Sequence, residues 1–524
     1  MSTLGAYLRL VRAGWVLLRE GVVAAFPGEQ LEGAPRFGWR VAKLISRRHS
    51  SGRGRTERLT IAVDRLGPSY VKLGQFLATR PDVVGHELAR DLATLQDRME
   101  TFPEEQARAV IEASLGAPVE TLFRDFGPPV AAASIAQVHP AKILRGGEMQ
   151  KVAVKVIRPG VRRRFYNDLE SFFLAARLQE RFAPSTRRLR PVEVTQTLAQ
   201  TTKIEMDLRL EAAAISELHE NTKEDPGFRV PWVDWERTGR DVLTLEWIDG
   251  IKMSDIAALQ AAGHDLQRLA TVLIQAFLRH TLRDGFFHAD MHPGNLFVEA
   301  DGTIVAVDFG IVGRIGKKER RFLAEILYGF ITRDFRRVAE VHFEAGYVPG
   351  HHDVAAFAQA LRAIGEPIHG QPAETISMAR LLTLLFEVTE LFEMQTRPEL
   401  LLLQKTMVVV EGVSRTLDPH FNMWRAAEPV VSQWIERNLG PRGAVSDLRE
   451  AGMALVVLAR QAPELAARTE RLSREIDLMA QRGLRFDPET AEAIGRAEAR
   501  HTRSGRVALW VIALLLFLFV LQQF

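Results

Sequence analysis

Apolar positions recur at helical spacing along most of the chain. Residues 59–100 have this period, and Pro81 and Asp82 break a first helix from a second. Further long helical stretches are predicted at 161–183, at 191–221 and over most of the chain beyond 264. The pattern therefore predicts a helix-rich protein.

Short β-prone runs interrupt this helical pattern. The first zone, 130–158, contains Arg145-Gly146-Gly147-Glu148, which predicts a hairpin turn. Later strands are predicted at 228–235, at 241–248 and in a strand-loop-strand zone at 286–311. The expected fold is α+β and bilobal, with a small antiparallel sheet followed by a helical lobe.

The two ends of the chain carry different apolar patterns. Leu8, Val11, Trp15, Leu18 and Val22 have the period of an amphipathic helix that packs on the body or lies on a membrane surface. Arginines interrupt this segment, which argues against a secretory signal peptide.

Residues 507–521 form an uncharged apolar run. As a helix the run reaches only about 22 Å, less than the roughly 30 Å hydrocarbon core. We expect a tail anchor, with a buried terminal helix as the alternative. Arginines precede the run and predict that the body stays on the cytoplasmic side.

The amino-acid composition excludes several kinds of functional site. The 524 residues contain no cysteine, which excludes disulfides, thiolate metal sites and a cysteine nucleophile. A net charge of +3 gives no global case for nucleic acid, so no nucleic-acid partner is expected. Only 11 of the 68 basic residues are lysines. A lysine inside a regular apolar pattern is therefore a candidate functional residue.

The first candidate is Lys155, inside the apolar β-prone run 152–157. A strand lysine often points to solvent, but it can also hold the α and β phosphates of ATP when a helix carboxylate supports it. The nearest acids are Glu205, Asp207 and Glu211, of which Asp207 and Glu211 are four residues apart and can share a helix face.

Two further segments supply acids and an amide. In 288–295, Asp290 and Asn295 have the separation of an aspartate that orients a nucleophile and an asparagine that binds metal. Asp308 ends a buried strand at Asp308-Phe309-Gly310 and is expected to bind Mg²⁺. The alternative, a histidine metal site at His288 and His292, lacks a third histidine or cysteine nearby.

The segment 243–250 predicts a hinge between the lobes. Backbone groups near Glu246 and Ile248 can recognise adenine at this hinge. The alternative is a purely structural hinge without a ligand. The order of lysine, helix acid, hinge, Asp290 with Asn295, and Asp308 predicts a site for ATP and Mg²⁺.

The predicted phosphate-covering loop departs from a protein kinase. Where glycines are expected, the chain has Ala131, Ala132, Ala133, Ser134 and Ile135, and alanine is disfavoured at positive φ. Only 311–316 separate Asp308-Phe309-Gly310 from the next predicted helix, so an activation segment is not visible. Both features argue against a protein substrate.

Together these segments resemble the UbiB-type (ABC1-type) atypical kinases of the protein-kinase-like superfamily over about residues 60–420. Matching motifs are Lys72-Leu73-Gly74-Gln75, the alanine-rich loop 131–139, Glu205-Met206-Asp207, the run 290–295 and the signature 400–418. The resemblance implies that the helix carrying Lys72 and Gln75 folds over the site. It also implies that both residues act there.

The resemblance further implies a role in ubiquinone biosynthesis, by ATP hydrolysis or small-molecule phosphorylation at a bacterial inner membrane. A nucleotide-sensing scaffold or lipid-access factor is the alternative, and a protein kinase is the least favoured hypothesis. Expected partners are membrane lipids and a quinone-precursor lipid or biosynthetic enzymes, and a homodimer is compatible with the sequence.

The predicted organisation has six parts. They are an amphipathic segment (1–58), a helical extension with Lys72 and Gln75 (59–128), an N-lobe with inserted helices (129–250), a helical C-lobe (251–440), a helical connector (441–504) and the tail anchor (505–524).

Overall fold

The computed structural model describes residues 3–22, 46, 54–78, 80–93, 99–182, 187, 189–370, 388–389, 391–394 and 398–440. The chain divides into two compact units, Met1–Ile435 and Glu436–Phe524. The predicted connector and tail anchor lie outside the described residues. Among the residues that are described, no helix has both the length and the apolar character needed to cross a bilayer.

Five of the described helices lie before residue 94: α1 (Thr3–Arg19), α2 (Arg55–Leu66), α3 (Pro68–Ala78), α4 (Pro81–Val84) and α5 (His86–Ala93). The break at Pro81 is confirmed, but a second break at Gly67 was not predicted. Gly67 has a φ of 98°, which favours glycine and ends α2. A small core of Val22, Leu59, Val63, Val71 and Leu92 joins these helices.

The first sheet is antiparallel, with strand order β1-β2-β3-β5. Its strands are β1 (Ala131–Ala132), β2 (Ala136–Arg145), β3 (Glu148–Ile157) and β5 (Val242–Glu246). The predicted hairpin is confirmed, because Gly146 and Gly147 both have positive φ between β2 and β3. Two helices, α6 (Glu104–Leu115) and α7 (Val119–Leu122), add apolar side chains to the core of this sheet.

Three of the described helices lie between β3 and the next strand: α8 (Val161–Phe182), α9 (Pro191–Glu205) and α10 (Leu208–Thr222). The prediction of one helix over 191–221 was wrong. Asp207 has an extended backbone and its side chain accepts a hydrogen bond from the Arg209 amide at 3.2 Å. Asp207 therefore caps a new helix instead of continuing the old one.

A second sheet has the strand order β4-β9-β8-β6. Its strands are β4 (Phe228–Arg229), β6 (Ile251–Lys252), β8 (Leu296–Val298) and β9 (Ile304–Ala306). A separate antiparallel pair joins β7 (Phe286–His288) to β10 (Val312–Arg314). The prediction of a strand over 228–235 was too long, since Pro231 cannot donate a ladder hydrogen bond and a 3₁₀ turn begins at Trp235.

The remaining α-helices among the described residues are α11 (Ile256–Ala261), α12 (Leu266–Arg279), α13 (Lys317–Thr332), α14 (Phe335–Glu344), α15 (Val354–Gly370), α16 (Pro398–Leu417) and α17 (Met423–Asn438). Helices α12 and α16 pack against each other in the main apolar core. The main core also includes buried residues of α8, α10 and the second sheet, so the segments around Asp290 and Asp308 rest on one continuous interior.

Candidate active site

Lys155 on β3 lies between two carboxylates that come from distant parts of the chain. Its Nζ is 2.8 Å from Glu211 Oε1 and 3.1 Å from Glu211 Oε2 on α10. The same nitrogen is 3.0 Å from Asp308 Oδ1, just beyond β9. The solvent-facing alternative for Lys155 is wrong, because only 14% of its side chain is exposed.

Electrostatics favour a charged lysine at this position. Burial opposes the ammonium, but the negative charges of Asp308 and Glu211 outweigh burial and raise the pKa of Lys155. The Lys155 charge, in turn, holds the pKa of Asp308 below its usual range. Burial raises the pKa of Glu211 despite the nearby lysine. The sheet, the helix and the Asp308 segment are thus joined by one cation.

Asp308 adopts a backbone conformation that is uncommon for a residue with a side chain. Its φ is 62°, and Phe309 beside it is fully buried with its ring 4.5 Å from the His288 ring. About half of the Asp308 side chain, 49%, remains exposed. The buried phenylalanine anchors the segment while the carboxylate stays accessible from solvent.

The predicted proximity of Asp290 and Asn295 is confirmed by the turn between them. Residues Pro293–Asn295 form a 3₁₀ turn, and Asn295 Nδ2 donates to the Asp290 carbonyl at 3.2 Å and to Asp290 Oδ2 at 3.4 Å. This donation uses the amide nitrogen, so Asn295 Oδ1 is the atom that can coordinate a cation.

His288 connects this loop to the Asp308 segment. The Asp290 amide donates to His288 Nδ1 at 3.1 Å, which places the ring proton on Nε2, 3.3 Å from the Val307 carbonyl. The ring is buried, and burial lowers the pKa of His288. A neutral His288 therefore has a structural role between the two acidic segments.

The histidine metal site gains no support. Within the described ranges, a cluster of three potential metal-ligating side chains occurs at His351, His352 and Glu393, and neither His288 nor His292 belongs to it. His292 instead accepts a hydrogen bond from the Gly294 amide at 3.0 Å and shapes the turn.

Lys72 of α3 forms an ion pair with Glu205 at the end of α9. The two side chains are 15% and 5% exposed. Lys72 also contributes to lowering the pKa of Asp308, so its charge acts on the acidic side chains of the site. Helix α3 rests on α8, where the Tyr70 and Phe172 rings meet edge to face at 5.0 Å. Gln75 lies nearly one turn beyond Lys72, and its role stays a prediction.

The three candidate acids have three different partners. Glu211 binds Lys155, Glu205 binds Lys72, and Asp207 binds the Arg209 side chain at 2.7 and 2.9 Å besides capping α10. The acid that supports Lys155 is therefore Glu211. In the structure the carboxylates of Glu205 and Asp207 bind protein side chains. Direct contacts of these two residues with a nucleotide stay predictions.

The alanine-rich loop forms a tight turn between β1 and β2. Ala131 pairs with Val138, and the Ala133 amide donates to the Ala136 carbonyl at 2.8 Å. In this described segment, residues 131–139, no backbone has positive φ. The turn accommodates alanine without strain, and Ser134 at its centre is fully buried.

The hinge begins where β5 ends. Glu246 accepts two hydrogen bonds of 2.9 Å from Arg229 of the second sheet, which also binds Glu299 just after β8. The Glu246 carboxylate therefore joins the two sheets, which leaves backbone groups for the predicted contact with adenine. That contact, and the part of Ile248 in it, stay predictions.

Sequence reasoning missed several supports of the site. Arg158, the residue after β3, donates to the Ala133 carbonyl at 3.3 Å and to the Glu100 carbonyl at 2.8 Å, and so holds the alanine-rich loop. Buried Gln137 exchanges hydrogen bonds with the Phe102 backbone at 3.0 and 3.2 Å. A buried Gln inside an apolar strand pattern was a signal that such a partner had to exist.

Thr406 supports the loop that carries Asp290. Its hydroxyl lies 3.1 Å from the Ala289 carbonyl and 2.8 Å from the Leu402 carbonyl of its own helix. Thr406 lies within the signature 400–418 that the family resemblance identified, and the contact explains how α16 reaches the site.

Two family models match parts of the chain. Residues 94–342 match the model of the ABC1 atypical kinase-like domain, and residues 361–422 match that of the UbiB helical domain. The solved complex of Rv3197 with erythromycin from Mycobacterium tuberculosis matches at 23% identity with a TM-score of 0.48, covering 75% of this chain and 98% of that one.

Curated relatives match over most of the chain. A probable protein kinase UbiB of Marinobacter nauticus is 40% identical, with 84% of this chain and 81% of the relative covered. A probable protein kinase UbiB of Aeromonas hydrophila is 38% identical, with 89% and 86% covered. The fold is accordingly kinase-like, and the chain belongs to the UbiB family of ABC1-type atypical kinases.

Proposed function

We propose that this protein is an atypical kinase-like ATPase that binds Mg-ATP and supports ubiquinone biosynthesis at the membrane. The observation that carries the proposal is Lys155 held between Glu211 and Asp308. A lysine placed between a helix carboxylate and a half-exposed carboxylate after a strand is the arrangement that phosphoryl-transfer sites use.

Each side chain has a separate role in this proposal. Lys155 contacts the α and β phosphates, and Glu211 fixes its position. Asp290 orients the attacking water or hydroxyl. Asn295 Nδ2 donates to the Asp290 carbonyl at 3.2 Å and to the Asp290 carboxylate at 3.4 Å, and so restrains that residue. Catalysis then consists mostly of positioning and of stabilising negative charge.

The donor set suits magnesium. Mg²⁺ prefers hard oxygen ligands, and the site offers the half-exposed carboxylate of Asp308 and the amide oxygen of Asn295. Asp308 stays ionised at neutral pH because Lys155 lowers its pKa. These two residues would hold the cation, which neutralises charge on the phosphates when bound.

A protein acceptor fits the geometry poorly. After Asp308 the chain enters β10 at Val312 and α13 at Lys317, which leaves no length for an activation segment. Helix α3 is tied to the end of α9 by the pair of Lys72 with Glu205. We therefore favour ATP hydrolysis or phosphorylation of a small molecule.

The proposed role in ubiquinone biosynthesis rests on the similarity of this chain to its relatives. The matching proteins are named probable protein kinase UbiB, and the family resemblance implies ubiquinone biosynthesis. The apolar run at 507–521 motivates a place at the bacterial inner membrane with the body on the cytoplasmic side. A quinone-precursor lipid is the class of partner that fits both ubiquinone biosynthesis and a location at the membrane.

The proposal is tested by Mg²⁺-dependent phosphate release from ATP on vesicles, with and without a quinone-like phenol. Asp308→Asn is expected to abolish release and to weaken Mg-ATP binding by about 100-fold. Asp301→Asn is the matched control, because Asp301 is an exposed turn aspartate. Unchanged nucleotide binding in Asp308→Asn would overturn the proposal.

A further inference from the structure

The outward side of α1 carries an exposed apolar stripe. Leu4, Leu8, Val11 and Trp15 are 66%, 62%, 68% and 50% exposed, and Tyr7 beside them is 47% exposed. At 100° per residue these five side chains fall within an arc of about 100°. We call them the α1 outer face.

The opposite side of α1 is fixed to the body, so this exposure is a property of a docked helix. Ala6 and Ala13 are buried, and α1 packs against α8 and α2. Arg9 donates to Ser171 Oγ at 3.1 Å and to Glu170 Oε2 at 2.9 Å on α8. The helix therefore presents a defined face to its surroundings.

The charges of α1 are of one sign. Its 17 residues include no Asp or Glu. Arg12 and Arg19 are exposed and lie along one flank of the α1 outer face, about 20–40° beyond Leu8 on the helical wheel. An apolar arc with Trp and Tyr beside arginines matches the boundary between acyl chains and anionic head groups.

We propose that the α1 outer face is a membrane-binding surface that inserts into the interface of an anionic bilayer. Leu4, Leu8, Val11 and Trp15 enter the acyl boundary, while Arg12 and Arg19 contact lipid phosphates. This surface shares no residue with the nucleotide site or with the predicted tail anchor, and it would hold the helical extension against the membrane.

A second copy of the chain fits this face less well than lipid. Packing two α1 helices antiparallel about a two-fold axis places both arginine flanks on the same side of the contact. Like charges then lie close together with no acidic residue of α1 to offset them. Anionic lipid supplies the opposite charge along the whole flank.

The test uses the absence of native cysteines. Leu8→Cys in the full chain gives one labelling position on the α1 outer face, and Leu144→Cys gives the control. The two leucines are 62% and 64% exposed, and Leu144 lies near the β2–β3 turn. Each variant carries an environment-sensitive fluorophore and is mixed, without nucleotide, with phosphatidylcholine vesicles or with vesicles that also contain phosphatidylglycerol.

The label at position 8 is expected to shift to an apolar environment on the anionic vesicles and to be quenched by brominated lipid, while the label at position 144 is not. Because the signal is local, anchoring by another segment does not reproduce it. Arg12→Gln with Arg19→Gln is expected to remove most of the preference for anionic vesicles, which each arginine strengthens by about fivefold.

Three results would overturn the inference. The first is no response of the label at position 8 to vesicles that have bound the protein. The second is concentration-dependent shielding of that label without vesicles, which would assign the face to a second copy. The third is an equal response of both labels, which would mean that the α1 outer face has no special contact with lipid.

Discussion

Two lysine–glutamate pairs lie near the active site, and they differ in what surrounds them. Lys155 binds Glu211 and also Asp308, which is half exposed. Lys72 binds Glu205, and both of these side chains are largely buried. The first pair leaves a charged group available for a ligand, whereas the second connects an outer helix to the end of α9. The comparison suggests one pair for nucleotide binding and one for holding the extension.

The largest expected effect comes from breaking the first pair. Lys155→Met removes the cation between Glu211 and Asp308 and the proposed phosphate contact, so we expect Mg-ATP affinity or phosphate release to fall by at least about 100-fold. Lys151→Met is the matched control on the same strand, because that side chain is 59% exposed. Equal effects of the two substitutions on titrated affinity would contradict the assignment.

Breaking the second pair should affect stability more than chemistry. Lys72→Met leaves Glu205 buried without its cation and is expected to cost about 1–3 kcal/mol in unfolding free energy. Mg-ATP affinity should change by less than about tenfold, while amide exchange in α3 accelerates. Adding Glu205→Leu should recover much of the stability, since an apolar pair avoids the buried charge.

Denaturant titrations and hydrogen exchange on the two single variants and the double variant provide this test. A loss of Mg-ATP affinity as large as that of Lys155→Met would show that Lys72 contacts the nucleotide, and the two pairs would then share one role.

The smallest expected effect is on pH dependence. Burial raises the pKa of Glu211 above 4.5, so its contribution to stability is full below that pH and is lost as the pH rises through the raised value. Lys155 lowers the pKa of Asp308 below 3.8, so that contribution is present above pH 3.8 and is lost as the pH falls through the lowered value.

Unfolding free energies measured across pH should therefore separate the two acids. Glu211→Gln should flatten the decline above pH 4.5, and Asp308→Asn should flatten the decline below pH 3.8. The opposite result would be that Glu211→Gln flattens the decline below pH 3.8 and Asp308→Asn the decline above pH 4.5. It would mean that Glu211, and not Asp308, is the acid that Lys155 keeps ionised.

The sequence predicted the parts of the site that have a fixed local spacing. Asp290 and Asn295 are brought together by a turn that Pro293 and Gly294 specify, and Asp308 follows a buried strand. The hairpin at Gly146 and Gly147 was predictable for the same reason.

Partners chosen by tertiary packing were not predictable. The sequence alone did not show which of Glu205, Asp207 and Glu211 binds Lys155. The helix break at Met206 gives the three carboxylates different partners. Lys72 was recognisable only through the family resemblance, because its partner is 133 residues away along the chain. The reach of Arg158 to Ala133 depends on how β3 meets the alanine-rich loop.

The most direct test of the proposed ATPase compares binding and hydrolysis in one variant. Asp290→Asn keeps the size of the side chain but removes the carboxylate that would orient the nucleophile. We predict that Mg-ATP binding stays within about threefold of wild type while phosphate release falls by at least about 100-fold. Unchanged phosphate release would contradict the account, and full biological activity without release would favour a nucleotide-sensing scaffold.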